Sequence, residues 1–317
     1  MASAVPSIRL NTSYSFPVLG FGTFANRKEG MMLPAVKAAI SCGYRHIDTA
    51  WYYTTEPEVG GAIKEKIADG TVTRDQLFVT SKLWNTFHEP SKVERMCRDS
   101  LRDLQLDYLD LYLMHWPMGH EDNESSRGHF TQATFVPTDV DYLETWQAME
   151  DLIDRGLVRS IGVANFNLGQ LERLLNMPSI RYQPAVLQIE VTPYLTNEEL
   201  LEFCSAHGTT VTGYSPLGGP NMIYTPSNAP SLMENPRIVE TARKCDKTPA
   251  QILLRWGIQR GYAVIPSSVI PQYITENVQV FDFALSGEDM KKITSLNRNY
   301  RFNPTSQFKD HPYYPFK

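Results

Sequence analysis

Residues 77–114, Leu-Phe-Val-Thr-Ser-Lys-Leu-Trp-Asn-Thr-Phe-His-Glu-Pro-Ser-Lys-Val-Glu-Arg-Met-Cys-Arg-Asp-Ser-Leu-Arg-Asp-Leu-Gln-Leu-Asp-Tyr-Leu-Asp-Leu-Tyr-Leu-Met, hold the pattern on which the fold turns. Leu77 to Ser81 is a short apolar run of strand character, and so is Tyr108 to Met114. Between them, Val93, Met96, Cys97, Leu101 and Leu104 recur at helical spacing, with Ser91 placed to cap a helix over 91–104. A strand, a helical crossover and a second strand imply parallel pairing.

The same unit extends in both directions. Further strands are expected at 17–22, 44–48, 158–163, 185–189, 209–213 and 262–265, eight in all. Helices are expected at 31–41, 58–68, 141–155, 168–175, 197–207 and, in two parts, 236–259. Asp141 stands at an N-cap position and Gly156 at a C′ position. Eight alternating units close into a (β/α)₈ barrel, although a doubly wound sheet has the same alternation. The dinucleotide form of that rival needs G-x-G-x-x-G after its first strand. Here the segment is Gly20-Phe-Gly22-Thr-Phe-Ala25, which lacks the third glycine and reads equally well as a tight turn. Residues 118–140, 218–235 and 300–317 do not fit the repeat; in a barrel the first two follow strands four and seven and rim the C-terminal mouth.

Composition excludes several classes. The chain has 317 residues, a length that by itself allows one domain or two. A formal net charge of -5 lacks the basic footprint of a nucleic-acid binder. Cys42, Cys97, Cys204 and Cys245 form no C-x-x-C pair, so the expectation is reduced, buried thiols in a cytosolic protein. The start Met-Ala-Ser-Ala-Val-Pro has no basic or apolar leader region, and no window suits a membrane span. The glycosylation-type triplets at Asn11 and Asn123 are read as accidental.

Three strands run into chemically capable residues: the second reaches Asp48 and, beyond it, Tyr53; the third reaches Lys82; the fourth reaches His115. In a barrel all converge on one mouth. A phenol gives up its proton more readily beside an ammonium, a carboxylate keeps that ammonium charged, and an imidazole positions a carbonyl oxygen. Together they form a proton donor. A metal-dependent hydrolase would need more His and carboxylate residues at strand ends than Asp48 and His115, and no metal is expected.

At these residues the chain resembles the aldo-keto reductase family. The matching strings are Gly43 to Ala50 (Gly-Tyr-Arg-His-Ile-Asp-Thr-Ala) with Tyr53, Thr80 to Trp84 (Thr-Ser-Lys-Leu-Trp), Asp110 to Pro117 (Asp-Leu-Tyr-Leu-Met-His-Trp-Pro) and Ile161 to Phe166 (Ile-Gly-Val-Ala-Asn-Phe). They continue with Gln188-Ile-Glu190, Tyr214-Ser-Pro-Leu-Gly218 and Ile265-Pro-Ser-Ser-Val269, all collinear, and the likeness runs from about residue 17 to the closing His311 to Phe316. The resemblance implies one barrel domain over 1–317 that reduces aldehydes or ketones with NAD(P)H, with Asp48, Tyr53, Lys82 and His115 as the catalytic set. A non-catalytic relative acting as a structural or regulatory subunit is the alternative, and the complete set favours catalysis.

The resemblance also assigns cofactor contacts to Thr23, Asp48, Asn165, Gln188, Tyr214, Ser215, Leu217, Ser267, Ser268, Val269, Glu276 and Asn277. Asn165 and Gln188 would hold the nicotinamide amide and Tyr214 would stack on its ring, while Ala164 replaces a usual serine. NADPH-preferring relatives usually carry Lys and Arg where this chain has Ser267 and Tyr273, and two further charges where it has Ala25 and Asn221. The family favours NADP(H); the missing charges open the site to NAD(H), unless Ser267, Ser268 and the N-terminus of a following helix suffice. For substrate, Phe24, Tyr52, Tyr53, Trp84, His115 and Trp116, with Tyr224 or Phe302, imply an aromatic wall suited to hydrophobic or aromatic aldehydes and ketones, steroids included. The expected protein is a cytosolic monomer whose only partner is a small carbonyl compound.

Overall fold

The computed structural model describes residues 5–24, 29–121, 135–219, 225 and 228–317. The eight expected strands are present: β3 (Gly20–Gly22), β4 (His46–Asp48), β5 (Phe78–Leu83), β6 (Leu111–Met114), β7 (Ile161–Ala164), β8 (Val186–Glu190), β9 (Thr210–Tyr214) and β10 (Ala263–Val264). Each pairs in parallel with the next in chain order. Leu19 bridges Val264 in parallel, with Val264 N donating to Val18 O at 2.9 Å, so the sheet returns to its first strand and closes into a barrel. Closure removes the unpaired edges an open sheet would expose.

Gly20 and Gly22 lie within β3 rather than in a turn. A Cβ on Gly20 would lie 2.6 Å from His46 Nδ1 and one on Gly22 2.9 Å from Ile265 O. Glycine is there because neighbouring segments approach closely where the barrel closes.

A hairpin outside the expected repeat, β1 (Ser7–Arg9) with β2 (Ser15–Pro17), precedes the barrel. Its Leu10 and Phe16 pack with Phe78, Leu111, Val186 and Ala263, the first residues of four barrel strands. The hairpin therefore plugs the N-terminal end and leaves the opposite end for chemistry.

The helices are α1 (Met32–Cys42), α2 (Glu56–Ala68), α3 (Pro90–Leu104), α4 (Tyr142–Asp154), α5 (Leu168–Leu175), α6 (Glu198–Ala206), α7 (Pro236–Cys245), α8 (Pro249–Gln259), α9 (Pro271–Val278) and α10 (Gly287–Thr294). The α3 stripe of Val93, Met96, Cys97, Leu101 and Leu104 is buried as its spacing requires. Ser91 is not its N-cap. The helix starts one residue earlier at Pro90 with Glu89 as cap, because proline's fixed φ and missing N–H suit the first helical position. Asp141 does cap α4, accepting from Leu143 N at 3.0 Å, and Gly156 follows at φ +70°. The cysteines are unpaired, with Cys97 and Cys204 buried but Cys42 and Cys245 only half-buried. Helix α10 lies outside the expected repeat.

The C-terminal tail is tied across the mouth. The buried Glu190 carboxylate, at the end of β8, accepts Phe302 N at 2.7 Å and Asn303 N at 2.8 Å. His311 Nε2 donates to Gly119 O at 2.8 Å while its Nδ1 accepts Tyr313 N at 3.0 Å, which fixes the neutral tautomer. Trp116 packs against Phe308 and Phe316 of the tail. Among the described residues, no helix is long and apolar enough to cross a membrane.

Candidate active site

Asp48 ends β4, Lys82 lies near the end of β5, and His115 follows β6. Tyr53 sits on a 3-10 turn, Trp51–Tyr53, directly after β4. These four, 67 positions apart at the extremes (115 - 48), meet at the C-terminal end of the barrel because parallel strands all point the same way.

Lys82 Nζ donates to Asp48 Oδ1 at 2.6 Å and to Thr49 O at 2.9 Å, with side-chain exposures of 0% for Lys82 and 2% for Asp48. Gln188 Nε2 donates to the other carboxylate oxygen at 2.7 Å. Burial pulls the Lys82 pKa below its ordinary value, and the charges of Asp48 and, more weakly, Glu56 oppose that pull. The Nζ lies 4.9 Å from the centre of the Tyr53 ring. His115 stands edge-on to the same ring at 5.6 Å and to Trp84 at 5.2 Å. Burial first, then the positive charge of Lys82 and the neighbouring His88, holds the His115 pKa well below 6.5, so its imidazole is neutral. Its Nδ1 is buried with no hydrogen-bond partner.

Asp48, Tyr53 and His115 open into a cleft of about 1010 Å³, counting the solvent at its mouth, while Lys82 lies buried behind them. Phe24, Tyr52, Trp84 and Trp116 line it beside Tyr53 and His115, as expected from sequence. Tyr52 stacks on Trp84 at 3.7 Å, and burial raises its phenol pKa. Phe302 does not line the cleft: it is 2% exposed and packs with Tyr194 and Tyr300, because the Glu190 clamp turns it inward. Tyr224, Ala25 and Asn221 lie outside the described residues.

Asn165, Gln188, Tyr214, Ser215, Leu217 and Ser267 also line the cleft. Asn165 has φ +62°, a left-handed conformation that asparagine tolerates better than most side chains. Its Nδ2 donates to His115 O at 2.9 Å and its Oδ1 accepts the Tyr214 hydroxyl at 2.8 Å. That leaves one amide N–H and one lone pair unused. Ser267 Oγ donates to Phe24 O at 3.2 Å. Thr23 is fully buried behind the wall against Thr55. Ser268, Val269, Glu276 and Asn277 lie outside the cleft, on or just before α9; Ser268 Oγ accepts Ile270 N at 3.1 Å.

Asn303 was missed from sequence, and it lines the cleft from the tail. It follows no periodicity, and its only signal is a polar residue between Phe302 and Pro304 in an irregular segment. Glu190, part of a quoted motif but given no role, holds it in place. Among the described residues, no group of three or more His, Cys, Asp or Glu could hold a metal ion.

A closed eight-stranded parallel barrel with Asp, Tyr, Lys and His converging at its mouth defines a class of carbonyl-reducing oxidoreductase. The family model described as "Aldo/keto reductase family" matches residues 18–298, and the chain belongs to that family. It is 45% identical to aldo-keto reductase family 1 member A1-A from Danio rerio, covering 98% of each chain. It is 44% identical to family 1 member A1 from Homo sapiens (99% and 98% covered) and to estradiol 17 beta-dehydrogenase 5 from Mus musculus (100% and 99%). The aldose reductase of Schistosoma japonicum superposes with a TM-score of 0.90 at 39% identity, with 98% of each chain covered.

Proposed function

We propose that this chain is an NAD(P)H-dependent aldehyde and ketone reductase, one barrel domain acting as a cytosolic monomer, in which Tyr53 protonates the carbonyl oxygen. One observation carries the reading: a fully buried ammonium, Lys82, is held 2.6 Å from Asp48 and lies 4.9 Å from the Tyr53 ring. A charge placed there stabilises the phenolate that forms as Tyr53 releases its proton. A complete set of this kind weighs against a non-catalytic subunit.

The residues present fit a nicotinamide dinucleotide. The unused N–H and lone pair of Asn165 match a primary carboxamide, and Gln188 lies in the same wall. Asn165 and Gln188 would hold the amide, with Tyr214 against the ring and Ser215, Leu217 and Ser267 along the wall. The dinucleotide, when bound, supplies the hydride to the carbonyl carbon. His115, neutral and with Nδ1 buried, offers an Nε2–H to the carbonyl oxygen and so sets it beside the Tyr53 hydroxyl. The proton passes from Tyr53 to that oxygen, Lys82 and Asp48 balance the charge left behind, and solvent restores the phenol. The aromatic wall suits hydrophobic or aromatic carbonyl compounds and excludes water around the oxygen.

The family likeness favours NADP(H), with Thr23, Ser268, Val269, Glu276 and Asn277 further along the dinucleotide. Discrimination is weakened, because Ser267 and Tyr273 offer no charge to a 2′-phosphate and the Ser267 hydroxyl already donates to Phe24 O, which leaves the Ser268 O–H as a neutral donor there. Titrating protein fluorescence with NADPH and NADH tests this: a preference below a hundredfold is expected, and a larger one overturns the weakened discrimination. Oxidation of NAD(P)H with a panel of aromatic aldehydes and steroid ketones tests the activity; tight cofactor binding without turnover of any carbonyl would reject it.

A further inference from the structure

A second cavity, of about 420 Å³ counting the solvent at its mouth, lies where the turn after β5, the start of α3 and residues 120–121 and 138–140 meet. It shares no described lining residue with the catalytic cleft. His88 lines it at 1% exposure, and neither of its ring nitrogens has a hydrogen-bond partner. Burial first, then the neighbouring His120 and His311, lowers its pKa to about 3, so at neutral pH one nitrogen carries a proton and the other a lone pair. The Thr138 hydroxyl, also in the lining, is buried without a partner. A Cβ on Gly119 would lie 2.5 Å from Thr138 Oγ1 and 3.7 Å from His88 Nδ1, so both unpaired groups flank one point beside the chain. His120 adds a donor to the same lining: its Nδ1 accepts Asn85 Nδ2 at 3.2 Å, which leaves the proton on Nε2. The imidazoles are held from their backbones, His88 O by the Thr145 hydroxyl at 2.7 Å and His120 N by Asn85 O at 3.0 Å.

Buried polar groups left unpaired are costly, and His88 and Thr138 together call for a molecule that fills the space between them. The cavity exceeds many times over the roughly 30 Å³ that one water occupies. Each unpaired group is served by a hydroxyl, which both donates and accepts, whereas a carbonyl only accepts and an ammonium only donates. Lys92 is already paired with Glu89 at 3.0 Å and the other charge in the described lining is Glu121, so an anion finds no free cation there. Val140 is the one apolar side chain among the described lining residues, which gives an aromatic or aliphatic body little to bury against. We propose that this cavity is a second small-molecule site, which takes an uncharged compound with hydroxyls on neighbouring carbons, one paired with His88 and the next with Thr138. Such a compound replaces several ordered waters with a single molecule. The site stands or falls independently of the reductase reading.

Glycerol and propane-1,2-diol are the probes and propan-1-ol is the control, followed through the ring nitrogens of ¹⁵N-histidine-labelled protein by long-range ¹H–¹⁵N spectra. His88→Leu assigns the His88 signals, and thermal melting confirms that each variant folds. With either probe the His88 nitrogens are expected to shift along a saturating curve, with a Kd on the order of 10 mM. Loss of one hydrogen bond is expected to weaken binding about fivefold, both for the probes in Thr138→Val and for propan-1-ol in the wild type. Shifts that stay linear in concentration, or an equal response to propan-1-ol, mean that the cavity holds solvent only and overturn the proposal. Saturation at the His115 signals alone puts the polyols in the catalytic cleft and overturns it too. So does an affinity for both probes that is unchanged in Thr138→Val.

Discussion

Replacing Asp48 with Asn tests the centre of the site most searchingly, because the side chain serves two buried donors at once. One carboxylate oxygen accepts Lys82 Nζ at 2.6 Å and the other accepts Gln188 Nε2 at 2.7 Å. An asparagine has a single oxygen, so its NH₂ must face one of those donors, and the charge that balances a fully buried ammonium is gone. Breaking such a pair from one side costs about 3–5 kcal/mol, a large share of a typical stability of roughly 5–15 kcal/mol. Lys82 has an escape: its pKa is already lowered by burial and held up chiefly by Asp48, so without that charge it falls further and the amine loses its proton. Tyr53 then releases its proton with no ammonium beside it, and the expected loss in kcat is of order 10²–10⁴. Reprotonating Lys82 restores the ammonium, so residual Asp48→Asn activity should rise as pH is lowered. Thermal melting, steady-state kinetics over pH and the ¹⁵N shift of Nζ would follow all three effects. A variant with wild-type melting and more than half the wild-type kcat would refute the argument.

Acid should unfold the protein through its buried histidines. The pKa of His46 is lowered to about 4, and those of His88 and His120 to about 3, all chiefly by burial. Because these folded-state values lie below the unfolded one, the histidines' stabilising contribution is complete above about pH 6.5 and is lost as pH falls towards the folded values, about 1.4 kcal/mol per pH unit for each imidazole. His88 has neither ring nitrogen bonded, so urea unfolding of His88→Leu should show a shallower decline from pH 7 to 5 than the wild type; an equal slope contradicts the assignment. Glu190→Gln keeps one acceptor oxygen for two tail N–H groups and should raise KM several-fold while speeding hydrogen exchange at Phe302 and Asn303. Unchanged exchange there would mean the tail is held by other contacts.

Period and punctuation carried the barrel. Alternating runs located eight strands to within a few residues, and the three strand-end motifs placed Asp48, Lys82 and His115 at one mouth, since parallel strands deliver their last residues to the same end. Caps were legible where one side chain decides them, as at Asp141, but not at α3, where Pro90 outweighs Ser91. What periodicity could not supply is the set of contacts between distant segments. The hairpin that plugs the barrel, the inward turn of Phe302, and the cleft position of Asn303 all depend on pairings across the fold, such as Glu190 with the tail 112 positions on (302 - 190). Gly20 and Gly22 show the same limit from the other side: their glycine character reflects barrel closure, which no local pattern announces.

The central claim is that the Tyr53 hydroxyl delivers the proton. Tyr53→Phe removes that single oxygen and leaves the ring that packs at 4.7 Å on Phe24 and at 5.6 Å, edge-on, on His115. The account expects NAD(P)H to bind to this variant, followed by fluorescence, within about threefold of its wild-type affinity, while reduction of every aldehyde falls by about 10² or more. Tyr53→Phe that turns over aldehydes at close to the wild-type rate would contradict it.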